Sequence, residues 1–371
     1  MMKFFQSAFN NKTVLITGHT GFKGSWLSLW LKRMGANVIG YALAPATEPA
    51  LFSALGIADK VTSVIGDVCD EDALQETVKK YRPDVVFHAA AQALVRTSYQ
   101  EPKHTYEVNV IGTMNVYEAV RRSKQPCTIV TVTSDKCYEN KEWVHGYREN
   151  DPFGGYDPYS SSKGCAEILT ASYRRSYFDP SAYGSAHRVA LASVRAGNVI
   201  GGGDWALDRL IPDCVRSLQA GAAIELRNPS ATRPWQHVLE PLSGYLHVAA
   251  LLMQDPEKYC EGWNFGPNDD SVVSVENVVK KMIAAWGSGS YRVTGASHMH
   301  EAKLLKLDIS KARFLLGWEP VYSLDEAISA SAEWYRAYYG NNADMASFTA
   351  TQIESYVNRA RELGIAWAQE R

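Results

Sequence analysis

The chain has 371 residues, enough for one large domain or two modest ones with an ample core. With 46% hydrophobic and 21% charged residues its composition is that of an ordinary globular protein, and a net charge of -2 argues against a general nucleic-acid binder. Six scattered cysteines without C-x-x-C spacing argue against a disulfide framework or a zinc site. No apolar run is long enough for a membrane span and residues 1–11 lack a signal-peptide core, so a cytoplasmic enzyme is the expectation.

Thr13-Val14-Leu15-Ile16-Thr17 reads as a buried strand. Gly18-His19-Thr20-Gly21-Phe22-Lys23-Gly24 follows at once, and Ser25 to Met34 carries Trp26, Leu27, Leu29, Trp30, Leu31 and Met34 at helical spacing. Strand, glycine turn and helix start are the parts of a dinucleotide site. Gly18 suits the tight turn, Gly21 a close approach to a pyrophosphate at the helix N-terminus, and Gly24 close helix–strand packing. Thr20, Phe22 and Lys23 join them as candidate cofactor contacts. Glycine turns between strand and helix also occur for purely structural reasons; both flanks and the N-terminal position favour the nucleotide.

Ala36 to Tyr41 reads as a second strand, made parallel to the first by the intervening helix. NAD sites usually carry an acid at the end of this strand, but Tyr41-Ala42-Leu43-Ala44-Pro45 has none and no arginine either. NADP therefore stays open beside NAD. Lys23 either favours an extra phosphate or is a solvated lysine. Lys60 to Gly66 reads as a third strand ending in Asp67-Val68, where Asp67 either meets an adenine amino group or caps the helix over residues 71–81. Asp84 to His88 is a fourth strand, followed by Ala89-Ala90-Ala91, small enough for a flat cofactor to lie against. A helix over 103–123 leads to a fifth strand, Thr128 to Thr133. Strands alternating with helices predict an α/β fold with a doubly wound parallel sheet, whose ligands bind at the carboxyl ends of the strands.

Ser134-Asp135-Lys136 follows the fifth strand, and Tyr159-Ser160-Ser161-Ser162-Lys163 stands at a helix start about 25 residues on. Tyr159 and Lys163, four apart, share one face. An ammonium beside a phenol favours the phenolate, which predicts a lowered phenol pKa and a usable general base. The Y-x-x-x-K spacing is common by chance; its place behind a glycine-loop strand and a Ser-containing strand end gives it weight.

Together these residues resemble the extended short-chain dehydrogenase/reductase family over residues 11–318, and within it the nucleotide-sugar 4,6-dehydratases. Ala89-Ala90-Ala91-Gln92 with Arg96, Arg195 to Asp204, Arg233 to Val238, and Asn264-Phe265-Gly266-Pro267 also match. The dTDP- and GDP-sugar dehydratases carry Thr-Asp-Glu where this chain has Ser134-Asp135-Lys136, and the Ser-Asp-Lys version resembles the branch acting on CDP-glucose. The resemblance implies a Rossmann domain (1–196 with 236–266) interleaved with a smaller C-terminal substrate domain (197–235 with 267–371). It further implies bound NAD, a CDP-D-glucose substrate, a homodimer through helices 103–123 and 159–178, and a step in 6-deoxy- and 3,6-dideoxyhexose (O-antigen lipopolysaccharide) biosynthesis. The implied roles are Tyr159 as base toward the sugar 4-hydroxyl, Lys163 as its partner, and Ser134 on the 4-oxygen. Asp135 is then the acid toward the C6 hydroxyl and Lys136 the C5 base. A 4-epimerase or reductase, or a non-catalytic sensor of NAD(P), are the alternatives; Asp135 and the intact Tyr–Lys pair speak against them.

Ala190 to Arg195 reads as a sixth strand that leaves through Ala196 to Asp204. The resemblance places Asn198 on the substrate diphosphate. Arg209, at the start of a helix over 208–220, and Arg233, beside Pro234 and Trp235, suit its oxygens, with surface ion pairs as the alternative. Gln92 and Arg96 follow the fourth strand and are candidates for the hexose or a phosphate. The helix over 240–254 presents Leu242, Leu246, Ala249, Ala250 and Met253 as a core face, and a further helix covers 274–286. His298 and His300 lack a third ligand, so no metal is expected. Ser323 and Glu326 have capping-box spacing. The helical tail beyond them has no assigned role.

Overall fold

The computed structural model describes residues 7–295, 304–340 and 344–369. Its strands in chain order are β1 (Thr13–Thr17), β2 (Asn37–Ala42), β3 (Thr62–Ile65), β4 (Val85–His88), β5 (Cys127–Val132) and β6 (Val189–Ala196). Then come β7 (Asn198–Ile200), β8 (Ile224–Leu226), β9 (Thr232–His237), β10 (Gly262–Phe265), β11 (Val272–Ser274) and β12 (Tyr291–Val293). Seven of them form one parallel sheet in the order β10-β6-β5-β4-β1-β2-β3. The order reverses between β1 and β4, where doubly wound sheets open a crevice for ligands. Two small sheets, β11-β9-β7 and β12-β8, stand beyond the carboxyl edge.

The strands feed two cores because successive side chains point to opposite faces. Val14, Ile16, Phe87 and Val130 pack with Trp26 and Trp30 of α1 (Phe22–Arg33). Leu15, Val86, Ile129 and Leu191 pack on the other face with Leu74 and Val78 of α2 (Glu71–Tyr81) and with Val116, Tyr117 and Val120 of α3 (Gly112–Ser123). Asp70 starts α2 by accepting from the Ala73 amide at 3.0 Å. Asp67 is thus not the cap; it accepts from the Cys69 amide at 2.9 Å in the turn before it. The helix expected over 103–123 forms from Pro102, with one π turn over Glu107–Ile111.

Behind the sheet edge, α4 (Pro158–Ser176) lies along β5 and β6. Its Glu167 is fully buried against Arg195 of β6, with both guanidinium contacts at 2.8 Å. Thr133 and Ser193 donate to the same carboxylate at 2.5 and 2.7 Å. The Arg195 guanidinium and these hydroxyls hold Glu167 below the usual carboxylate range against the burial that opposes them. Arg195 also donates to Tyr138, which donates to Asn264 at 2.8 Å. One ionic knot thus ties α4, β5, β6 and β10.

The C-terminal half adds α5 (Leu210–Gln219), α6 (Leu239–Gln254), α7 (Val275–Trp286), α8 (Leu324–Tyr339) and α9 (Met345–Glu362). The helix expected from 208 starts later, because Asp208 takes a left-handed conformation (φ 61°). Ser323 and Glu326 form the expected capping box at α8. His298 and His300 lie outside the described residues. No described helix is long and apolar enough to cross a membrane, and no metal-ligating cluster occurs among the described residues.

Removing one partner of a buried ion pair leaves the other charge uncompensated, a loss of about 3–5 kcal/mol. Glu167→Gln should therefore lower the unfolding free energy by an amount near that range in urea titrations, whereas Glu362→Gln, at the exposed pair with Arg359, should change it by less than about 1 kcal/mol.

Candidate active site

The carboxyl edge of the sheet opens into one cleft of 2030 Å³, lined from Gly18 to Gly24 at one end and by Ile224 to Asn228 and Arg233 at the other. Single-ligand pockets measure about 300–1,000 Å³, so this volume has room for a dinucleotide and a second nucleotide together.

The glycine turn forms the floor. Gly18 sits at φ 79°, and a Cβ there would lie 2.8 Å from the Ala90 amide nitrogen. A Cβ on Gly24 would lie 2.1 Å from the Gly18 carbonyl oxygen, so the turn and α1 interlock through missing side chains. Gly21 is the N-cap of α1, without a side-chain cap and with no acidic residue in the first turn. Its missing Cβ would meet protein only at the Gly18 oxygen, 3.4 Å away. The helix therefore presents open amides and its positive end to the cleft, which fits a diphosphate. Asp67, Val68, Ala89, Ala90 and Ala91 line the same end, as do Thr20 and Phe22. Thr20 donates to the Leu43 carbonyl at 2.9 Å, and no charged side chain stands at the end of β2. His19 turns inward onto Ser63 at 2.7 Å, and burial lowers its pKa to about 4.

Lys23 lines the cleft and donates to the Tyr245 hydroxyl of α6 at 3.4 Å. Burial, reinforced by Arg209, lowers its pKa to about 8, and it acts electrostatically on Asp135 and Lys163. Tyr245 was not foreseen, because its helix reads as core; the lysine that meets it was legible only as a loop residue.

Ser134, Asp135, Lys136, Tyr159 and Lys163 come together where β5 and α4 meet the cleft. Asp157 caps α4 through the Ser160 amide at 2.9 Å, which sets Tyr159 and Lys163 on its first turns. Ser134 donates to Asp135 at 3.0 Å and accepts from the Lys136 amide at 3.2 Å. Burial raises the Asp135 carboxyl above its ordinary value, opposed by Lys136, Ser134 and Lys23. Among the described residues no ion pair joins Asp135 to Lys136.

The expected lowering of the Tyr159 phenol does not hold in this structure. Burial pushes it up to about 12, and the groups pulling it back are Ser134 and Arg209. Lys163, 5% exposed, is itself lowered to about 8 by burial, with Glu167 resisting. Low-dielectric surroundings disfavour both charges at once, a term that spacing along a helix cannot show.

The substrate-side candidates separate. Gln92 is spent on its own loop: its amide donates to Leu94 at 3.1 Å and Thr105 at 2.9 Å and accepts from the Leu94 amide. Its backbone is clasped by Asn109, on the π turn. Gln92 lines the cleft with its side-chain amide already engaged within the protein. Asn198 opens β7 and lines the cleft. Arg233, on β9, lines it too and donates to the Thr232 carbonyl at 2.8 Å. Arg209 is paired with Asp204 at 2.8 Å, yet faces the cleft near Tyr159. Arg96 pairs with Asp208 at 2.8 Å. The stretch carrying Asp204 is held by α8: Tyr335 donates to the Asp204 carbonyl at 2.5 Å and accepts from its amide at 3.0 Å. Trp205 donates to Tyr339 at 3.1 Å and packs against Trp334 and Tyr338.

A seven-stranded doubly wound sheet with a glycine turn at the switch point, and a Tyr–Lys pair on α4 facing the same cleft, define an extended short-chain dehydrogenase/reductase. The family model described as GDP-mannose 4,6 dehydratase matches residues 15–331, and the chain belongs to that family. It is 51% identical over 348 residues to a CDP-glucose 4,6-dehydratase of Salmonella typhimurium, covering 94% of this chain and 96% of that one. A CDP-paratose 2-epimerase of Salmonella typhi is 31% identical over 181 residues, covering 44% of this chain and 53% of its own length. Among solved structures, a dTDP-glucose 4,6-dehydratase of Streptomyces venezuelae with NAD bound superposes with a TM-score of 0.74 at 22% identity, covering 88% of this chain and 98% of that one.

The Lys163 shift carries a stability signature. Unfolded, this lysine keeps its proton to its ordinary pKa of 10.5; folded, it loses it near 8. Between these values the unfolded state binds more protons, so stability from this residue rises with pH and is lost below 8. The unfolding free energy of the wild type minus that of Lys163→Met should increase by about 2 kcal/mol from pH 8 to pH 10 in guanidinium titrations. A flat difference would contradict the shift.

Proposed function

We propose that this protein is a CDP-glucose 4,6-dehydratase, converting CDP-D-glucose to CDP-4-keto-6-deoxy-D-glucose. The observation carrying the reading is the clustering of Ser134, Asp135 and Tyr159 on the cleft, a phenol beside a buried acid that accepts from the Ser134 hydroxyl. The 51% identity to a CDP-glucose 4,6-dehydratase over nearly the whole chain supports the choice of substrate. Residues 1–196 and 236–266 form the cofactor half, and 197–235 with 267–371 the sugar-nucleotide half. The exposed Ile111 and Ile168, on the helices expected at a dimer contact, support a homodimer. Six free thiols support a reducing cytoplasm.

Gly18, Thr20, Gly21, Phe22, Lys23 and Gly24, with Asp67, Val68 and Ala89 to Ala91, would hold NAD, which when bound would supply a reversible hydride acceptor. The chain's own groups move the protons. Tyr159 takes the proton of the sugar 4-hydroxyl, and Ser134 and Arg209 are the groups that bring its phenol down toward that task. Ser134 steadies the 4-oxygen. A carbonyl at C4 makes the C5 proton acidic, and Lys136 takes it. Asp135, whose carboxyl burial raises above its ordinary value, gives its proton to the leaving C6 hydroxyl. Asn198, Arg209 and Arg233 face the substrate diphosphate. Lys23 is a second candidate for the C5 base, because its pKa already lies near 8 and it faces Asp135.

The test is incubation with CDP-glucose and NAD, followed by the alkali-induced absorbance of a 4-keto sugar. Activity with CDP-glucose and not with UDP-, GDP- or dTDP-glucose supports the reading, and preference for another base overturns its substrate. Tyr159→Phe should lower turnover by about 10²–10⁴-fold. Deuterium exchange at C5 separates the two lysines. Loss of exchange in Lys136→Ala and not in Lys23→Ala assigns the base to Lys136; the converse assigns it to Lys23.

A further inference from the structure

Three segments far apart in the sequence meet at the mouth of the cleft through one oxygen atom. Asp208 Oδ1 accepts from Arg96 at 2.8 Å and from Arg227 at 3.4 Å. Arg96 lies on the short helix Val95–Gln100 that follows β4, Arg227 follows β8, and Asp208 ends the stretch anchored by α8. All three line the cleft. We propose that Asp208 is an internal counter-anion: it holds Arg96 and Arg227 together across the cleft mouth, and the diphosphate of the incoming sugar nucleotide displaces it from them. This rests on the reading of the cleft as a nucleotide-sugar site and adds Arg227 to the groups that recognise the diphosphate.

The charges favour exchange. Two guanidiniums share one carboxylate oxygen, so the cluster carries a net positive charge. Other charged groups of the adjoining segments are already engaged, Arg209 with Asp204, Arg216 with Asp213 and Glu225 with Arg292. A diphosphate offers more negative charge and several oxygens to planar forks that can each take two. The pairs with Asp208 are weak enough to yield, since the three side chains are 35 to 42% exposed and water screens them. Asp208 also keeps a left-handed backbone, φ 61°, which a β-carbon disfavours and Asn or Asp tolerates best. The conformation places the carboxylate between the arginines instead of letting α5 begin one residue earlier.

The variant Asp208→Asn keeps size and tolerance of that backbone while removing the charge. Calorimetric titration of the full chain with CDP, UDP, GDP, dTDP and CMP, at two salt concentrations, decides the matter. Asp208→Asn should bind its preferred nucleoside diphosphate about three- to fivefold more tightly than the wild type, with a smaller gain for CMP. Arg227→Gln should weaken diphosphate binding and steepen nothing for CMP. Tighter binding by a diphosphate with another base supports the latch while overturning CDP as the substrate nucleotide. If no diphosphate binds Asp208→Asn more tightly, or if the gain for CMP equals that for CDP, the latch is wrong even where CDP-glucose is the substrate.

Discussion

Everything at the carboxyl edge of the sheet depends on how closely the turn after β1 can pack. Gly18 lies against the backbone of Ala89 and Ala90, and Gly24 against the Gly18 carbonyl, at distances no side chain would permit. These contacts bring β1, β4 and the start of α1 together at the switch point of the sheet. They also leave the first amides of α1 uncapped and facing the cleft. A diphosphate site follows from backbone geometry before any charged side chain is considered.

Around that floor, burial governs the chemistry. The same low-dielectric setting holds Asp135 toward its neutral form, lowers Lys163 and Lys23 to about 8, and lifts Tyr159 to about 12. A carboxyl shifted this way is better suited to donate a proton. For the phenol burial works in the opposite sense, and Ser134 and Arg209 offset it. The buried Glu167–Arg195 knot stands one helical turn beyond Lys163 and resists the loss of its charge. Four hydrogen bonds to Glu167, from Thr133 at the end of β5 and from Ser193 and Arg195 of β6, hold α4 to the sheet.

The far wall of the cleft is secured from the C-terminus. Aromatic residues of α8 grip Asp204 and Trp205, and Gly202 packs where a Cβ would strike Trp334. Asp204 in turn holds Arg209. The tail helices therefore position an arginine of the cleft although α8 contributes no residue to its lining. Glu240, at the start of α6, binds the Val321 and Tyr322 amides and the Tyr356 hydroxyl, tying the chain before α8 and helix α9 to α6.

Local pattern determined much of this protein. The alternation of strands and helices, the glycine turn, the Ser134–Lys136 and Tyr159–Lys163 groups and the capping box at Ser323 could all be read from neighbours in the chain. Their causes are local: side-chain period, backbone freedom and hydrogen bonds within a turn. Only the tertiary structure decided that Gln92 is consumed by its own loop, that Lys23 turns toward Tyr245, and that Arg96 and Arg227 meet on Asp208. It alone decided which way each pKa moves, because desolvation and long-range pairing depend on what folding brings near a group, and spacing along the chain carries no record of that.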